Sequence, residues 1–195
     1  MLQALKHLKG EAQGVELWIV GGRPVKDTLF QRQIRALVKG LPVRFFPFIP
    51  SDRVHRYYLA SDLFVCPSQL PESFGMVNIE AAATGIPSLG SDAWGLKESI
   101  AEGVSGWRVK NFRSSFAWAE KLRSLLKNRS RWEKMGRSAR KWAVQSFAWR
   151  RVAGEFAKLY RSLLDEKACQ PSKTGKTTPV KTAKQSITAA AKQSS

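Results

Sequence analysis

The chain alternates short apolar runs with stretches of helical periodicity, and that alternation predicts an α/β fold: a parallel sheet flanked by helices. Runs such as Glu16 to Val20 and Asp62 to Cys66 have the length and composition of buried strands. Between them apolar residues fall three and four apart, and glycine or proline marks the joints. A sheet of this kind gathers its ligands outside the C-terminal ends of its strands. With 195 residues, 43% of them apolar, the chain suffices for one domain with a substantial core. No run approaches the roughly 20 apolar residues of a membrane-spanning helix. Met1 to Lys9 lacks the sustained apolar core of a signal peptide. Cys66 in an expected strand and Cys169 near the tail suggest a reducing compartment, hence a cytoplasmic protein, rather than a disulfide framework. His7 and His55 stand alone, and no Cys or His cluster has metal-ligand spacing.

In order, Leu2, Leu5 and Leu8 read as the end of a helix. The strand Glu16 to Val20 closes on Gly21-Gly22, a pair that admits a phosphate or simply turns. Pro24 suits a first helical turn, and Ile34, Leu37 and Val38 form the apolar stripe of that helix up to Gly40. Val43 to Ile49 is the next expected strand. Pro50-Ser51 then opens a helix with Val54, Tyr57, Tyr58 and Leu59 on its apolar side. After Asp62 to Cys66, further strands are expected at Ile86 to Leu89 and Trp107 to Val109. From Asn111 the chain is helical, with apolar stripes through Phe116, Ala119, Leu122 and Leu125, through Trp132, Met135, Ala139 and Trp142, and over Trp149 to Leu164. These elements predict a domain over residues 1–165. Residues 166–195, rich in Lys, Thr, Ser, Ala and Pro, cannot bury enough apolar surface to order themselves and are expected to form a disordered basic tail.

The stretch from Pro67 to Ser88 holds the chemistry. Pro67 and Pro71 stop the preceding strand and stiffen the loop. Ser73 is the expected N-cap of a helix from about Phe74 to Thr84, with Gly85 as its stop. Gly75, at the helix opening, has no side chain to block an approaching ligand. Free amides and the positive end of the helix dipole at this mouth suit a phosphate or a polarised sugar oxygen. Glu72 precedes the helix; Glu80 lies inside it, one turn beyond Met76 on the same face. Acidic residues at a helix start also have a plain dipole explanation, which applies to Glu72. Glu80 is followed by Ala81-Ala82-Ala83, a patch suited to packing on a sheet, and a charge among such neighbours needs a partner or a ligand.

Glu72-x7-Glu80 with Phe74-Gly75 between, followed by Ala81-Ala82-Ala83-Thr84-Gly85-Ile86-Pro87, resembles the donor-site signature of GT-B glycosyltransferases of the retaining group 1 type. The resemblance extends upstream to Leu17-Trp18-Ile19-Val20-Gly21-Gly22. Downstream it continues through Gly90 to Glu98, Gly103 to Trp107 and Ser146-Phe147-Ala148-Trp149. It implies a Rossmann-like GT-B C-terminal domain, the donor-binding half, that transfers a sugar from a nucleotide-diphosphate sugar to a hydroxyl acceptor, a glycan or lipid-linked glycan, with retention. It further implies that Glu72 is the catalytic residue facing the donor sugar. Phe74, Gly75 and Met76 would present amides to sugar and phosphate, and Glu80 would hold the two ribose hydroxyls. No Asp-x-Asp occurs, in keeping with the metal-independent GT-B type, so neither metal nor cofactor is expected beyond the donor itself. Three positions depart from the pattern. Pro47 stands where a glycine is common near the base pocket, Trp94-Gly95 where two glycines are usual, and Lys97 where proline is frequent. Trp94 either narrows the sugar pocket or stacks on a sugar ring.

The resembled pattern also carries, ahead of Leu17, a strand followed by an Arg and a Lys that clamp the donor diphosphate, and an N-terminal acceptor domain. Neither is found here, so the expectation is a donor half incomplete at its start, with three explanations open: a separate chain carrying the N-terminal GT-B domain supplies the missing parts, the start is misplaced, or the chain is a gene remnant. The missing strand would be central in the sheet, so its neighbours are expected to expose hydrogen-bonding edges. The rival reading is an inactive nucleotide-binding fragment or module that needs a partner chain. The net charge of +18 reads first as solvated faces: eleven basic residues and one acid lie between Lys121 and Arg151. Its second reading is attraction to an anionic membrane surface, which would make the protein peripheral at the inner face of a membrane. Nucleic acid is the least favoured partner, since no recognised binding motif accompanies the charge.

Overall fold

The computed structural model describes residues 1–22 and 29–169. In chain order the elements are α1 (Leu2–Leu8), a 3-10 turn (Lys9–Ala12), β1 (Leu17–Gly22), α2 (Leu29–Val38), β2 (Val43–Pro47), α3 (Ser51–Leu59), β3 (Phe64–Cys66) and α4 (Met76–Ala83). They continue with β4 (Ser88–Ser91), α5 (Leu96–Ser99), β5 (Gly106–Val109), α6 (Ser115–Leu126), α7 (Ser130–Phe147) and α8 (Trp149–Cys169). The strand–helix alternation matches the sequence expectation. The single-turn α5 is an addition, too short to reveal a period. The reading of Pro24 and the expected disorder of 170–195 lie outside the described residues, and α8 continues to Cys169, past the boundary expected at 165.

Every strand pair is parallel, as helix crossovers require. The strands form two sheets, β1–β2 and β3–β4–β5, and the division falls between β1 and β3. The burial follows the division. All four residues of β4 are buried, whereas Phe64 and Val65 of β3 and Leu17 to Ile19 of β1 are half-buried and Val20 is exposed. One edge of β1 and one of β3 thus lack a strand partner among the described residues.

Both sheets nonetheless feed one core. Leu89 and Val109 meet Ala4, Leu5 and Leu8 of α1 and Trp118, Ala119, Leu122 and Leu125 of α6, and Leu17, Val43, Leu63 and Val65 pack against the same cluster. Two of the indoles in this region have their N–H groups satisfied: Trp118 donates to the Phe112 carbonyl at 2.8 Å and Trp132 to that of Leu125 at 3.1 Å. A second cluster joins Ile79 and Ala82 of α4 to Ala139 and Ala143 of α7, with Phe74, Ala83, Trp142 and Phe147 around it. The alanine run expected to pack on a sheet therefore lends Ala82 and Ala83 to a helix–helix contact, which small side chains allow to be close.

The chain divides into a unit over Met1–Gly154 and a second beginning at Glu155. In the second, Phe156, Leu159, Tyr160, Leu163 and Leu164 are exposed along α8. No helix among the described residues is long and apolar enough to cross a membrane.

Candidate active site

The site grows from the loop between β3 and α4, at the C-terminal end of a parallel sheet. Two hydrogen bonds tie this loop to the end of β4 and the turn that follows it. The Ser91 hydroxyl donates to the Ser68 carbonyl at 2.7 Å, and the Gly95 amide to the Glu72 carbonyl at 3.0 Å. The chain then turns into α4 through Gly75, which holds the N-cap position at φ 83°, and no side chain caps the helix. The expected cap, Ser73, is exposed, and α4 begins at Met76 rather than Phe74. The reason is tertiary: the Ser73 carbonyl is pressed against Gly95, so the chain at Ser73 is set by that contact and not by the helix.

Gly75 also has a different role from the one expected. It is buried, and a Cβ there would lie 2.6 Å from Leu96 Cδ2, 2.8 Å from Asn78 Nδ2 and 3.2 Å from Ser99 Oγ. The missing side chain leaves room for the protein's own interior rather than for a ligand. Asn78, 1% exposed, completes the joint: its backbone N–H donates to the Gly75 carbonyl at 2.9 Å, and its Nδ2 to the same carbonyl at 3.2 Å and to Ser99 Oγ at 3.1 Å. At the other end the expected stop holds. Gly85 (φ 85°) donates to Ala82 and Ile86 to Ala81, the paired bonds of a Schellman motif.

The amides of Phe74, Gly75, Met76 and Val77 have no hydrogen-bond acceptor among the described residues, as expected of a first helical turn. Together with the helix dipole they offer donors to an anion. Met76, 58% exposed, and Glu80 share the outward face of α4. Glu80 is thus not buried among its alanines. Its partner comes from α3: the Tyr58 hydroxyl donates to Glu80 Oε2 at 3.0 Å. Burial of Tyr58, reinforced by the Glu80 carboxylate, pushes the phenol far above its ordinary pKa, so it remains a protonated donor. Oε1 and the remaining lone pair of Oε2 stay open to a ligand. Glu72 is half-buried, its backbone fixed by Gly95, and its carboxylate has no side-chain partner among the described residues.

Three contributors escaped the sequence reading. Tyr58 was assigned only to an apolar stripe, although a buried phenol has to find a partner, and that requirement was the available signal. Asn78 and Ser99 gave no signal, because their link joins α4 to the unanticipated α5. Nearby, Arg108 reaches Asp92 at 3.3 Å and the Lys97 carbonyl at 2.9 Å, knitting β5 to the segment after β4. Two clefts of about 340 and 330 Å³ run along α6, lined by residues such as Glu120, Arg123 and Lys127; neither includes Glu72 or Glu80. No three His, Cys, Asp or Glu residues come together among the described residues.

Residues 1–142 match the family model for glycosyl transferases group 1. The chain belongs to that family. It is 30% identical over 165 residues to spore coat protein SA of Bacillus subtilis, covering 82% of this chain and 44% of that protein. It is 37% identical over 124 residues to a D-inositol 3-phosphate glycosyltransferase of Nocardia farcinica, covering 64% of this chain and 27% of the relative. The chain thus spans less than half the length of these relatives. Among solved structures it is similar to a sucrose-phosphate synthase from Thermosynechococcus elongatus, with a TM-score of 0.71, 27% identity and coverage of 85% and 42% of the two chains. It shares its fold with Anabaena HepE, solved in complex with UDP, at a TM-score of 0.71 and 22% identity, over 83% and 44%. The Rossmann-like GT-B fold expected from the sequence is therefore the fold of this family member.

Proposed function

We propose that this chain is the donor-binding half of a glycosyltransferase that moves a sugar from a nucleotide-diphosphate sugar to a hydroxyl acceptor with retention of configuration. The observation that carries the reading is the start of α4 in a group 1 family member. There, unpartnered amides of Phe74, Gly75 and Met76 and the exposed carboxylate of Glu80 lie at the C-terminal side of a parallel sheet, directly after Glu72. Glu80 accepts hydrogen bonds from the ribose hydroxyls, with Tyr58 fixing its orientation. The amides at the helix start take the diphosphate and stabilise the charge that builds on it as the glycosidic bond breaks. Glu72 orients the hydroxyls of the donor sugar while the acceptor oxygen forms the new bond to the sugar, the bond to the diphosphate breaks, and the acceptor proton passes to the departing diphosphate oxygen. UDP is the first nucleotide to try, since HepE binds it on the same fold.

The test is denaturant unfolding of the full chain with UDP, GDP and ADP. One nucleotide at a hundredfold excess over its dissociation constant should stabilise the chain by about 2.7 kcal/mol, and Glu80→Ala should abolish the gain. No response to any of the three refutes the donor reading. A non-catalytic nucleotide-binding module is favoured by the two departures at Pro47 and Trp94 and shares this binding behaviour. Transfer is what separates the two. In enzyme completed by an N-terminal GT-B domain, Glu72→Gln with unchanged turnover would sink the catalytic assignment. The exposed basic residues Arg131, Lys134 and Lys141 of α7 would draw such an enzyme to an anionic membrane carrying lipid-linked acceptors.

A further inference from the structure

Trp94 holds a backbone conformation that its own side chain opposes. Its φ is 47°, and among the described residues it is the one non-glycine with a positive φ. Left-handed backbone is open to glycine without penalty and unfavourable for a bulky L-residue. The next residue shows the reverse. Gly95 has an ordinary helical φ of −65°, yet a Cβ there would lie 1.9 Å from the Ser73 carbonyl oxygen, so only glycine fits. Conformation asks for glycine at 94 and space asks for it at 95, but only the second request is met. Strain retained in this way points to a use for the side chain.

The position indicates which use. Trp94 lies in the turn between β4 and α5, one residue from the Gly95 amide that donates to the Glu72 carbonyl at 3.0 Å. The turn is further fixed by the Lys97 amide, which donates to the Trp94 carbonyl at 3.2 Å. The indole meets the Phe112 ring edge-on, with centroids 5.4 Å apart, and Arg113 lies over that ring at 5.5 Å. Trp94 nevertheless remains 36% exposed. A braced, partly open indole in the turn whose next residue holds the Glu72 backbone is an apolar platform of the kind that hexose C–H faces pack on.

We propose that Trp94 is a specificity-determining residue of the donor site: its indole packs on the sugar being transferred and leaves the nucleotide alone. This rests on the donor reading above. The test is calorimetric titration of the full chain, wild type and Trp94→Gly, with UDP, GDP and ADP and with UDP-glucose, GDP-mannose and ADP-glucose. For the nucleotide that binds, Trp94→Gly should keep its dissociation constant within about twofold, while affinity for the matching sugar nucleotide should fall about tenfold. A purely structural role against Phe112 leaves the ratio of the two affinities unchanged. That result, or tighter sugar-nucleotide binding by the variant, overturns the proposal while the donor reading stands. Wild type that binds none of the six overturns both. Should Trp94→Gly fail to fold, Trp94→Phe and Trp94→Leu share the backbone penalty. The ratio should fall for leucine and hold for phenylalanine, and equal ratios overturn the proposal.

Discussion

Replacing Gly75 by alanine separates two explanations of that glycine. If it exists to admit a ligand, the ligand-free chain tolerates a methyl group and only binding suffers. The geometry argues otherwise. At φ 83° an L-residue loses about 1–2 kcal/mol from backbone sterics alone. The new Cβ would also lie 2.6 Å from Leu96 Cδ2, and Leu96 is fully buried with no space to retreat into. Overpacking of this kind costs a further 1–3 kcal/mol, roughly. The variant should therefore lose about 2–5 kcal/mol of a total that for most domains is roughly 5–15 kcal/mol. Gly103→Ala is the internal control. It has a similar φ of 76° but nothing within 4 Å of the added atom, so it should show the backbone component only, about 1–2 kcal/mol. The assay is urea unfolding of both variants without nucleotide, at constant m-value. Equal losses at the two positions would refute the packing argument. A Gly75→Ala chain of normal stability with weakened UDP binding would restore the ligand-access reading.

Tyr58→Phe should weaken nucleotide binding about fivefold, equivalent to roughly 1 kcal/mol for one hydrogen bond to a partly solvated carboxylate. In a Glu80→Ala background it should add nothing, and an additive loss would show that Tyr58 acts elsewhere. The Arg123 guanidinium holds the exposed Glu11 carboxyl below its ordinary value of 4.5, so this pair favours the folded state above that pH and loses its effect as pH falls through the folded value. The difference in unfolding midpoint between wild type and Glu11→Gln should accordingly narrow below pH 4.5, and a difference that widens in acid would contradict the sign. Because Leu17 and Phe64 direct their amides to the neighbouring chain, the alternation of a strand turns those of Trp18, Val20 and Val65 to the unpaired edges of β1 and β3. Hydrogen exchange should find these three far less protected than the amides of β4; equal protection would mean that the edges are paired in solution.

Legibility differed from element to element for physical reasons. The strands β1 and β3 could be read because Leu17 to Val20 and Phe64-Val65-Cys66 are short apolar runs closed by glycine or proline. Strand ends were less legible. The expected strand at Ile86 begins instead at Ser88, because the Ile86 amide is committed to the Ala81 carbonyl in the motif that closes α4. That Gly85 ends α4 was legible, since a left-handed residue after a helix is a local requirement. The start of α4 was not. Ser73 has the chemistry of a cap, but its geometry is dictated by Gly95, a contact between residues far apart in sequence. Glu80 could be singled out by its spacing from Glu72, while the need of a phenol on an apolar helix face for a partner pointed to Tyr58 without naming that partner, because hydroxyl-to-carboxylate contacts across elements leave no periodicity behind. The division between β1 and β3 could not have been inferred from either strand alone.

What makes this site more than a helix end is that three anchors from different elements meet at it. Gly95 fixes the backbone of Glu72, the Asn78–Ser99 pair fixes the left-handed turn at Gly75, and Tyr58 fixes the carboxylate of Glu80. Two of the anchors, Gly95 and Ser99, come from the short segment that contains α5, which is itself tied to β5 through Arg108. Donors that are already oriented need no reorganisation when charge develops on a departing diphosphate, and that is where such donors contribute most. Disturbing α5 should therefore affect the carboxylate at 72 and the amides at 74–76 together while sparing Glu80, whose anchor lies on α3. A variant such as Ser99→Ala distinguishes these two linkages. If the site is one rigid unit, it weakens diphosphate and ribose contacts alike. If the anchoring is divided as the hydrogen bonds indicate, it lowers affinity for the nucleoside diphosphate and leaves that for the nucleoside unchanged.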